Sequence, residues 1–280
     1  MIFARHGINI ISYPAVKAYL MEFRKELEPR PANWEPTPAE PTWQGRKPGA
    51  YRWYEIQDNV AYWRSFLKPK IVYNDITWNP QFSVDYSEAL INNTAYFIPS
   101  DDTWLVACLN APIGWWFAWR GAQHAKDEAL RYFNTFMDTY PIPRPPDFDA
   151  IQETVRVLTQ IQEQVHRSRV LLSDWYRHVL EISSIPNSLR SPFTLDADRF
   201  VSAIQRARGS RRPLTAAAIG HIREQHARSV VPIARRLGEA TRYEQRLSDL
   251  VNEAYGLTPA EVGLMWRTAP PRMPVPPPPL

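Results

Sequence analysis

The sequence predicts an α+β protein in which an aromatic-rich, mixed α/β half precedes an α-helical half with one long amphipathic helix. Three observations predict this arrangement. Nine of the 11 Trp and ten of the 13 Tyr lie before residue 141. Four Pro then fall within residues 141–147, where they disfavour helix and sheet alike. Beyond them, apolar residues recur every seven positions from Ile151 to Val179.

Three stretches of the first half are predicted strands. Residues 69–78, PKIVYNDITW, are rich in β-branched and aromatic side chains and begin at a proline. Residues 81–86 and 94–99 follow as shorter strands, separated by Ser, Glu and Asn turn residues. The apolar stretch 100–119 then predicts two short helices. Asp101 or Asp102 caps the first, and Asn110 with Pro112 starts the second.

The second half is predicted to be helical. Its long amphipathic helix covers Ile151 to Ile182, and its apolar seam consists of Ile151, Leu158, Val165, Leu172 and Val179, with Ile161, Trp175 and Ile182 between them. Further helices begin near Asp196 and near Thr215, and another ends at Gly256. A last helix is capped by Thr258, with Glu261 at the reciprocal position. We therefore expect a mixed domain at 1–143, a helical domain at 144–268 and a disordered Pro-rich tail at 269–280.

Composition limits the class of protein. The chain has 280 residues, of which 44% are apolar, and no apolar run approaches the roughly 20 residues of a membrane-spanning helix. No cationic leader with a small-residue cleavage site precedes the first apolar run. The single Cys108 lies in an apolar string and is predicted to be a buried, inert thiol. We expect a cytoplasmic protein.

The charge is unevenly distributed. Residues 1–150 carry 15 Lys and Arg against 17 Asp and Glu, whereas residues 151–280 carry 18 against 12. All 18 cations of the second half are Arg, which suits bidentate recognition of phosphate, although a GC-rich coding bias has the same effect. The overall charge of +4 permits a polyanionic partner without requiring one.

Patterns of catalytic or metal-binding residues are weak. No Gly-x-Gly turn offers a nucleotide or S-adenosylmethionine site. WNPQF, at 78–82, differs by Gln81 from the Asn-Pro-Pro-Phe type motif of amino-methyltransferases, and we interpret it as a strand-edge turn. Asp75, Asp85 and Glu88 lack the following Lys of a metal-dependent nuclease, and the six His form no metal-binding pattern. Binding is therefore the leading class of function.

Residues 45–57, GRKPGAYRWYEIQ, combine three cations with two Tyr and a Trp. One interpretation is an ordinary core edged by charge. The other is nucleic-acid binding, in which cations contact phosphates and planar groups meet bases.

The order of five sequence blocks adds a family resemblance. YLMEFRKELEPR, GAYRWYEIQ, KPKIVYNDI, TAYFIPSDDTWLVACLNAPIGWWF and RYFNTFMDTYPIP occur in this order between Lys17 and Pro143. This region resembles the C-terminal specificity domain of TaqI-like adenine-N6 DNA methyltransferases and type IIG restriction-modification enzymes. Residues 246–265, which include LSDLVNEAYGLTPAEVGLM, are more loosely similar to the helical signature that closes those proteins.

The resemblance implies a target-recognition module of a restriction-modification or phage-defence system. In that family a catalytic domain with the cofactor fold precedes this region. This sequence starts just before it, as a split, truncated or separate subunit would. We therefore expect no catalytic activity, cofactor or metal in this chain alone. Its expected partners are double-stranded DNA and a methyltransferase or restriction subunit that binds S-adenosylmethionine.

The resemblance and the basic, aromatic stretches together give the candidate DNA contacts. They are Arg46, Lys47, Tyr51, Arg52, Lys68, Lys70, Arg120, Gln123, His124, Lys126 and Arg131. Gln can read adenine and Arg or Lys can read guanine. Lys47 is expected on phosphate and Arg131 on guanine, unless Arg131 pairs with Asp127 or Glu128. Trp53, Tyr54 and Trp63 are assigned to the core.

A protein-interaction scaffold is the alternative function. In that case the long helix from Ile151 to Ile182 and the Arg-rich helices bind another protein, and the DNA-binding fold is unused.

Overall fold

The structure, a computed structural model, describes residues 2–209 and 213–277. These residues form two compact units, which divide between Lys68 and Pro69. The predicted boundary at 143/144 therefore lies inside the second unit rather than between units. The mixed α+β fold class itself is confirmed.

The first unit consists mainly of loops around two short helices. These are α1 (Pro14–Met21) and α2 (Arg24–Leu27), and single 3₁₀ turns occur at Ile10–Ser12 and Trp63–Leu67. Within its described residues the unit has no β-strand, only a parallel bridge between Pro29 and Arg46. Instead of strand pairing, side chains of the loop 45–57 form hydrogen bonds to backbone groups of this unit.

The second unit begins with small antiparallel sheets. Strands β1 (Lys70–Asn74), β2 (Ile76–Thr77), β3 (Ser83–Asp85) and β4 (Ala95–Ile98) occupy the three predicted stretches. β1 lies between β3 and β4 in the first sheet. In the second sheet, β6 (Leu130–Arg131) lies between β2 and β5 (Gln123–His124). Asp75 separates β1 from β2 and therefore joins the two sheets.

Two helices follow the first sheet, as the sequence predicts. Asp102 caps α3 (Thr103–Asn110) by accepting a 2.8 Å hydrogen bond from the Trp104 amide. Pro112 occupies the first position of α4 (Pro112–Gly121). The predicted role of Asn110 at the start of this helix is wrong. Its side-chain amide instead accepts a hydrogen bond from the Phe82 N–H at 3.0 Å and donates one to the Phe82 carbonyl at 2.8 Å.

The long helix α6 (Phe148–His178) follows the short α5 (Asn134–Met137). Most of the predicted seam faces the core, and Leu172 is only 1% exposed. The helix ends four residues before Ile182, because Glu181 adopts a left-handed φ of 54°. Val179, the C-cap residue, is 59% exposed, whereas Ile182 is buried.

Four of the remaining helices share a core with α6: α7 (Asn187–Arg190), α8 (Ala197–Arg208), α9 (Ala216–Gln225) and α10 (Val231–Ala254). The last helix is α11 (Pro259–Arg267). Thr258 and Glu261 form the predicted capping box of α11. A π-helical turn, His226–Val230, joins α9 to α10 without a break. Pro232, which has no N–H to donate, lies two residues after this wider turn.

A shared core explains why the second unit does not divide at 143/144. Trp104 and Cys108 of α3 pack in one cluster with Ile151 of α6 and Val251 of α10. Cys108 is fully buried, and burial raises its pKa to about 12, as expected of an inert thiol. The Pro-rich segment 141–147 is thus a connection inside one packed unit.

The described part of the predicted tail, 269–277, contacts α4 and the sheet core. Trp115 donates a 2.9 Å hydrogen bond to the Pro271 carbonyl, and Trp116 donates one of 3.0 Å to the Thr268 hydroxyl. Val275 is buried and Met273 packs against the sheet core. The aromatic residues of α4 provide this docking surface. Residues 278–280 of the predicted tail lie outside the described residues.

Candidate functional site

In the first unit, Arg46 anchors the loop 45–57 from within. Its guanidinium donates hydrogen bonds to the carbonyl oxygens of Leu27, Glu55 and Trp53, at 2.8, 2.7 and 2.9 Å. A weaker bond of 3.4 Å reaches the Arg52 carbonyl. These bonds replace the backbone pairing that an irregular loop lacks. Arg46 is therefore a structural residue rather than an available DNA contact.

Glu55 is the second anchor of the same loop. Its buried carboxylate accepts hydrogen bonds from the backbone N–H of Gly7 and of Arg52, each at 2.8 Å. Burial alone would raise the pKa of Glu55, but the hydrogen bonds from Arg52 and Gly7 outweigh it and lower that pKa. The turn 52–55 is thus fixed by one buried anion and by the neighbouring Arg46 cation.

Tyr51 belongs to the core of the first unit. Its ring is buried, its hydroxyl donates to the Lys47 carbonyl, and the Arg46 guanidinium lies 4.6 Å from the ring centroid. A Cβ on Gly49 would come within 2.3 Å of the ring, so the backbone passes directly beside it. Tyr51 is therefore not accessible to DNA in this structure.

Other cations of the first unit remain exposed. Within the described residues, the side chains of Arg30, Lys47 and Lys68 have no hydrogen-bond or ion-pair partner. Arg52 is exposed as well, and its guanidinium donates a 2.6 Å hydrogen bond to the Tyr54 hydroxyl. That hydrogen bond raises the pKa of Arg52, which is ionised in any case. Among them, Arg30 and Arg52 contribute to one outward-facing basic surface.

An open cleft of about 860 Å³ lies beside this surface. Arg30 and Arg52 line it together with the half-buried rings of Trp53 and Tyr54. Glu28, the acid in the lining, is paired with Arg24 at 3.1 Å. The cleft therefore presents two uncompensated guanidinium groups next to flat rings. Trp53, Tyr54 and Trp63, predicted to be core residues, are only half-buried.

In the second unit, a short hairpin holds the other predicted contacts. β5 pairs with β6 so that Gln123 lies opposite Arg131 and His124 opposite Leu130. Gln123, His124 and Lys126 are exposed, and one imidazole nitrogen of His124 lies 2.9 Å from the Trp119 carbonyl. The sequence predicts these residues in one loop, and the structure places them on one hairpin, β5–β6, which is part of the three-stranded second sheet.

Arg131 is held by an acid that the sequence did not pair with it. Its Nη2 and Nε donate to the two carboxylate oxygens of Asp75 at 2.6 and 3.2 Å. The expected surface partners, Asp127 and Glu128, are therefore wrong, although an ion pair is present. The hydrogen bonds from Arg131 to Asp75 raise the pKa of the guanidinium further. No short-range sequence pattern joins residues 56 positions apart, which is why the pair was missed.

The tip of this hairpin has unusual backbone geometry. Asp127 and Glu128 are consecutive non-glycine residues in the left-handed region, with φ of 57° and 60°. The Trp78 indole donates to the Asp127 carbonyl at 3.1 Å, and Arg272 lies 3.5 Å from both the carbonyl and the carboxylate of Glu128. Contacts from two distant segments thus hold the strained tip.

Two further predicted contacts are structural. Lys70 is fully buried and its ammonium lies 2.6 Å from the Asp85 carboxylate. The Arg120 guanidinium lies 3.5 Å from the centroid of the Trp116 ring and donates to the Trp116 and Thr268 carbonyls. Lys70 cannot reach DNA without unfolding, and Arg120 is committed to the end of α4.

Among the described residues, the acidic residues and histidines do not assemble into a metal site. In residues 2–209 and 213–277, no group of three or more His, Cys, Asp or Glu is placed to hold a metal ion. Asp75 and Asp85, two of the possible nuclease carboxylates, are each paired with a cation. Among the helices of these same residues, none has the length and apolar character needed to cross a membrane.

Comparison with known proteins reaches only the helical part. Residues 147–251 match a domain of unknown function, DUF8810. The matched range runs from the start of α6 through most of α10. No curated protein matches the chain. The loop 45–57 and the hairpin 123–131 both lie outside the matched range.

Proposed function

We propose that this chain recognises double-stranded DNA for an adenine-N6 methyltransferase or restriction partner. The observation that carries the proposal is that the loop 45–57 has two kinds of charged residue, some bonded within the loop and some facing solvent. Arg46 and Glu55 are used internally to fix its shape, and Lys47 and Arg52 extend from it to solvent. A loop ordered before binding loses less conformational entropy when its cations meet phosphates.

Charge in the first unit supports the same proposal. Residues 1–68 contain ten Lys and Arg against seven Asp and Glu, and the buried Glu55 adds little negative potential at the surface. The cleft lined by Arg30 and Arg52 offers charge-assisted hydrogen bonds to phosphate oxygens. Its flat rings can pack against sugars or bases.

Sequence-specific recognition also needs side chains that read base edges, and the hairpin of the second unit offers them. β5 and β6 belong to a three-stranded sheet, and sheet-based DNA-binding proteins can place strands in the major groove, where Gln can form paired bonds to adenine and Arg to guanine. Exposed Lys126 at the tip suits a phosphate contact. The unit would thus hold and read flanking DNA.

The proposed partner performs the chemistry. A base methyltransferase must flip its target base out of the duplex, and a separate lobe then stabilises the distorted DNA. The partner would hold S-adenosylmethionine, and the pair would act in the cytoplasm as a restriction-modification or phage-defence system. This part of the proposal rests on the resemblance of residues 17–143 to TaqI-like specificity domains.

A protein scaffold is the second candidate, and the surface of α6 favours it. Val170 and Leu171 are exposed on this helix, and Val179 is exposed just after it. Such apolar residues are suited to a protein partner. In that case the chain would act through its helices and not through its basic loop or hairpin.

Salt dependence of DNA binding separates the two candidates. Fluorescent duplexes would be titrated with the chain at several salt concentrations. DNA recognition predicts that the logarithm of the binding constant falls with the logarithm of salt at a slope of several units, because each neutralised phosphate releases counterions. No binding, or a flat salt profile, would contradict DNA recognition and favour the scaffold.

A further inference from the structure

Asp75 is held rigidly at the junction of the two sheets of the second unit. Its N–H donates to the Thr94 carbonyl and its own carbonyl accepts from the Tyr132 amide, each at 3.0 Å. The residue is buried, and its carboxylate is directed to Arg131. Because both backbone hydrogen-bonding groups of Asp75 are paired, its carboxylate is well placed to orient the Arg131 side chain that binds it.

Arg131 is oriented by this carboxylate and by an aromatic ring. Its Nε and one N–H of Nη2 are engaged by Asp75, and the guanidinium carbon lies 4.4 Å from the centroid of the Phe133 ring. Within the described residues, Nη1 and the second N–H of Nη2 make no hydrogen bond. These atoms form the end of the guanidinium fork, which matches the O6 and N7 acceptors of guanine.

Gln123 is the neighbour of Arg131 across the β5–β6 hairpin, and Ile76 of β2 is the neighbour of Arg131 on the other side. The two residues are directly paired in the register of β5 and β6, so their side chains leave the same face. Directly opposite Cβ atoms lie about 4.5–5.5 Å apart, and successive bases are spaced by about 3.4 Å along the duplex. The two side chains can therefore reach neighbouring base pairs.

We infer that Asp75 is a positioning residue that aims Arg131 at guanine, while Gln123 reads adenine at the neighbouring base pair. The inference rests on the proposed DNA recognition and adds the base-reading residues and the preferred bases. Gln forms paired bonds to the N6 and N7 edge of adenine, and a preoriented Arg forms them to guanine. The preferred duplex therefore contains a guanine base pair next to an adenine base pair.

A selection from a randomised duplex pool tests this inference. The full chain is incubated with the pool at moderate salt, bound duplexes are sequenced, and base preference is scored at each position. The variants are Gln123→Ala, Asp75→Asn and Arg131→Lys, which retains the charge but loses the fork. Glu128→Gln is the matched control, because it removes one carboxylate charge, as Asp75→Asn does, from a residue that pairs with Arg272 and not with Arg131.

The parent chain should prefer adjacent guanine and adenine, each by about ten-fold or more over the other bases. Gln123→Ala should remove only the adenine preference. Asp75→Asn and Arg131→Lys should each reduce the guanine preference several-fold and leave binding to the unselected pool unchanged. Glu128→Gln should keep both preferences. If Asp75→Asn does not fold, Arg131→Lys still decides the assignment.

Each contrary outcome has one meaning. Salt-dependent binding of the parent without a guanine and adenine preference would overturn the inference and leave the proposed DNA binding intact. Full guanine preference in Asp75→Asn would overturn the positioning role of Asp75, and full guanine preference in Arg131→Lys would overturn guanine reading by Arg131; neither outcome would contradict DNA binding itself. Absence of any DNA binding by the parent would overturn the proposed function and this inference together.

Discussion

The ammonium of Lys70 lies 2.6 Å from the carboxylate of Asp85, and Lys70 has no solvent-exposed surface. The two residues face each other in the register of β1 and β3, so the ion pair joins the start of one strand to the end of the other. Burial alone would raise the pKa of Asp85, but the hydrogen bonds from Lys70 and Ser87 outweigh it and lower that pKa to about 2. The pair is therefore a structural element of the first sheet.

Acid should destabilise the second unit through this pair. The folded-state pKa of Asp85 lies below the ordinary value of 3.8, so its stabilisation is present above about pH 4 and is lost as pH falls toward 2. Asp85→Asn should remove this contribution together with the anion that faces the buried Lys70 ammonium, at a cost of about 3–5 kcal/mol. Urea unfolding followed by near-ultraviolet circular dichroism from pH 6 to pH 2 measures both effects. An unchanged unfolding free energy at pH 6 would contradict the structural role.

The long helix offers a comparison of neighbouring leucines. Leu172 is 1% exposed and Leu171 is 69% exposed. Leu172→Asp should cost several kcal/mol, because it places an unpaired charge in the packed seam, whereas Leu171→Asp should change stability by less than about 0.5 kcal/mol. Thermal unfolding measures the difference. Equal melting temperatures for the two variants would mean that the seam is not packed as described.

Leu171→Asp also tests the scaffold. Its stability should be nearly unchanged, so any loss of a protein partner by this variant would reflect the exposed surface of α6 directly. Retention of DNA binding by the same variant is expected if the loop and the hairpin are the DNA contacts.

Adjacent cations in the loop 45–57 should have opposite roles. Lys47→Ala should leave thermal unfolding unchanged, weaken binding to all duplexes about equally and lower the salt slope by about one. Arg46→Ala should instead destabilise the first unit, because it removes the donor for several backbone carbonyls. Melting curves and salt titrations of both variants distinguish these roles. Exchange of the two phenotypes would contradict the assignment.

Glycine substitution at the hairpin tip should affect stability differently at Glu128 and at Lys126. Glu128 has a φ of 60°, where a side chain is strained, so Glu128→Gly should be neutral or stabilising by up to about 1 kcal/mol. Lys126 does not have a positive φ, so Lys126→Gly should be destabilising by about 0.5–1 kcal/mol. Chemical unfolding of the two variants provides the comparison. A greater loss for Glu128→Gly would show that its contact with Arg272 outweighs the backbone strain.

Local features of the fold were predictable from the sequence. The strand at 70–74 followed from β-branched and aromatic residues, and the caps at Asp102 and Thr258 followed from side chains that bond nearby amides. The seam of α6 followed from its seven-residue spacing. These features depend on residues close together in the chain.

The functional roles of several cations were less predictable. Arg46 bonds backbone carbonyls, which every residue offers, so no pattern of residue types marks its partners. Lys70 and Arg131 depend on sheet register and on acids 15 and 56 positions away. Likewise, the prolines near 141–147 mark a change of composition, but the packing of Trp104 with Ile151 keeps the residues on both sides of them in one compact unit.

The central claim is that the loop 45–57 and the hairpin 123–131 contact duplex DNA. Amide hydrogen exchange of the full chain, with and without a saturating random-sequence duplex pool at low salt, tests it most directly. We predict slower exchange at residues 45–57 and 123–131, and unchanged exchange along the exposed face of α6. Unchanged exchange in both segments under saturating DNA would contradict the claim.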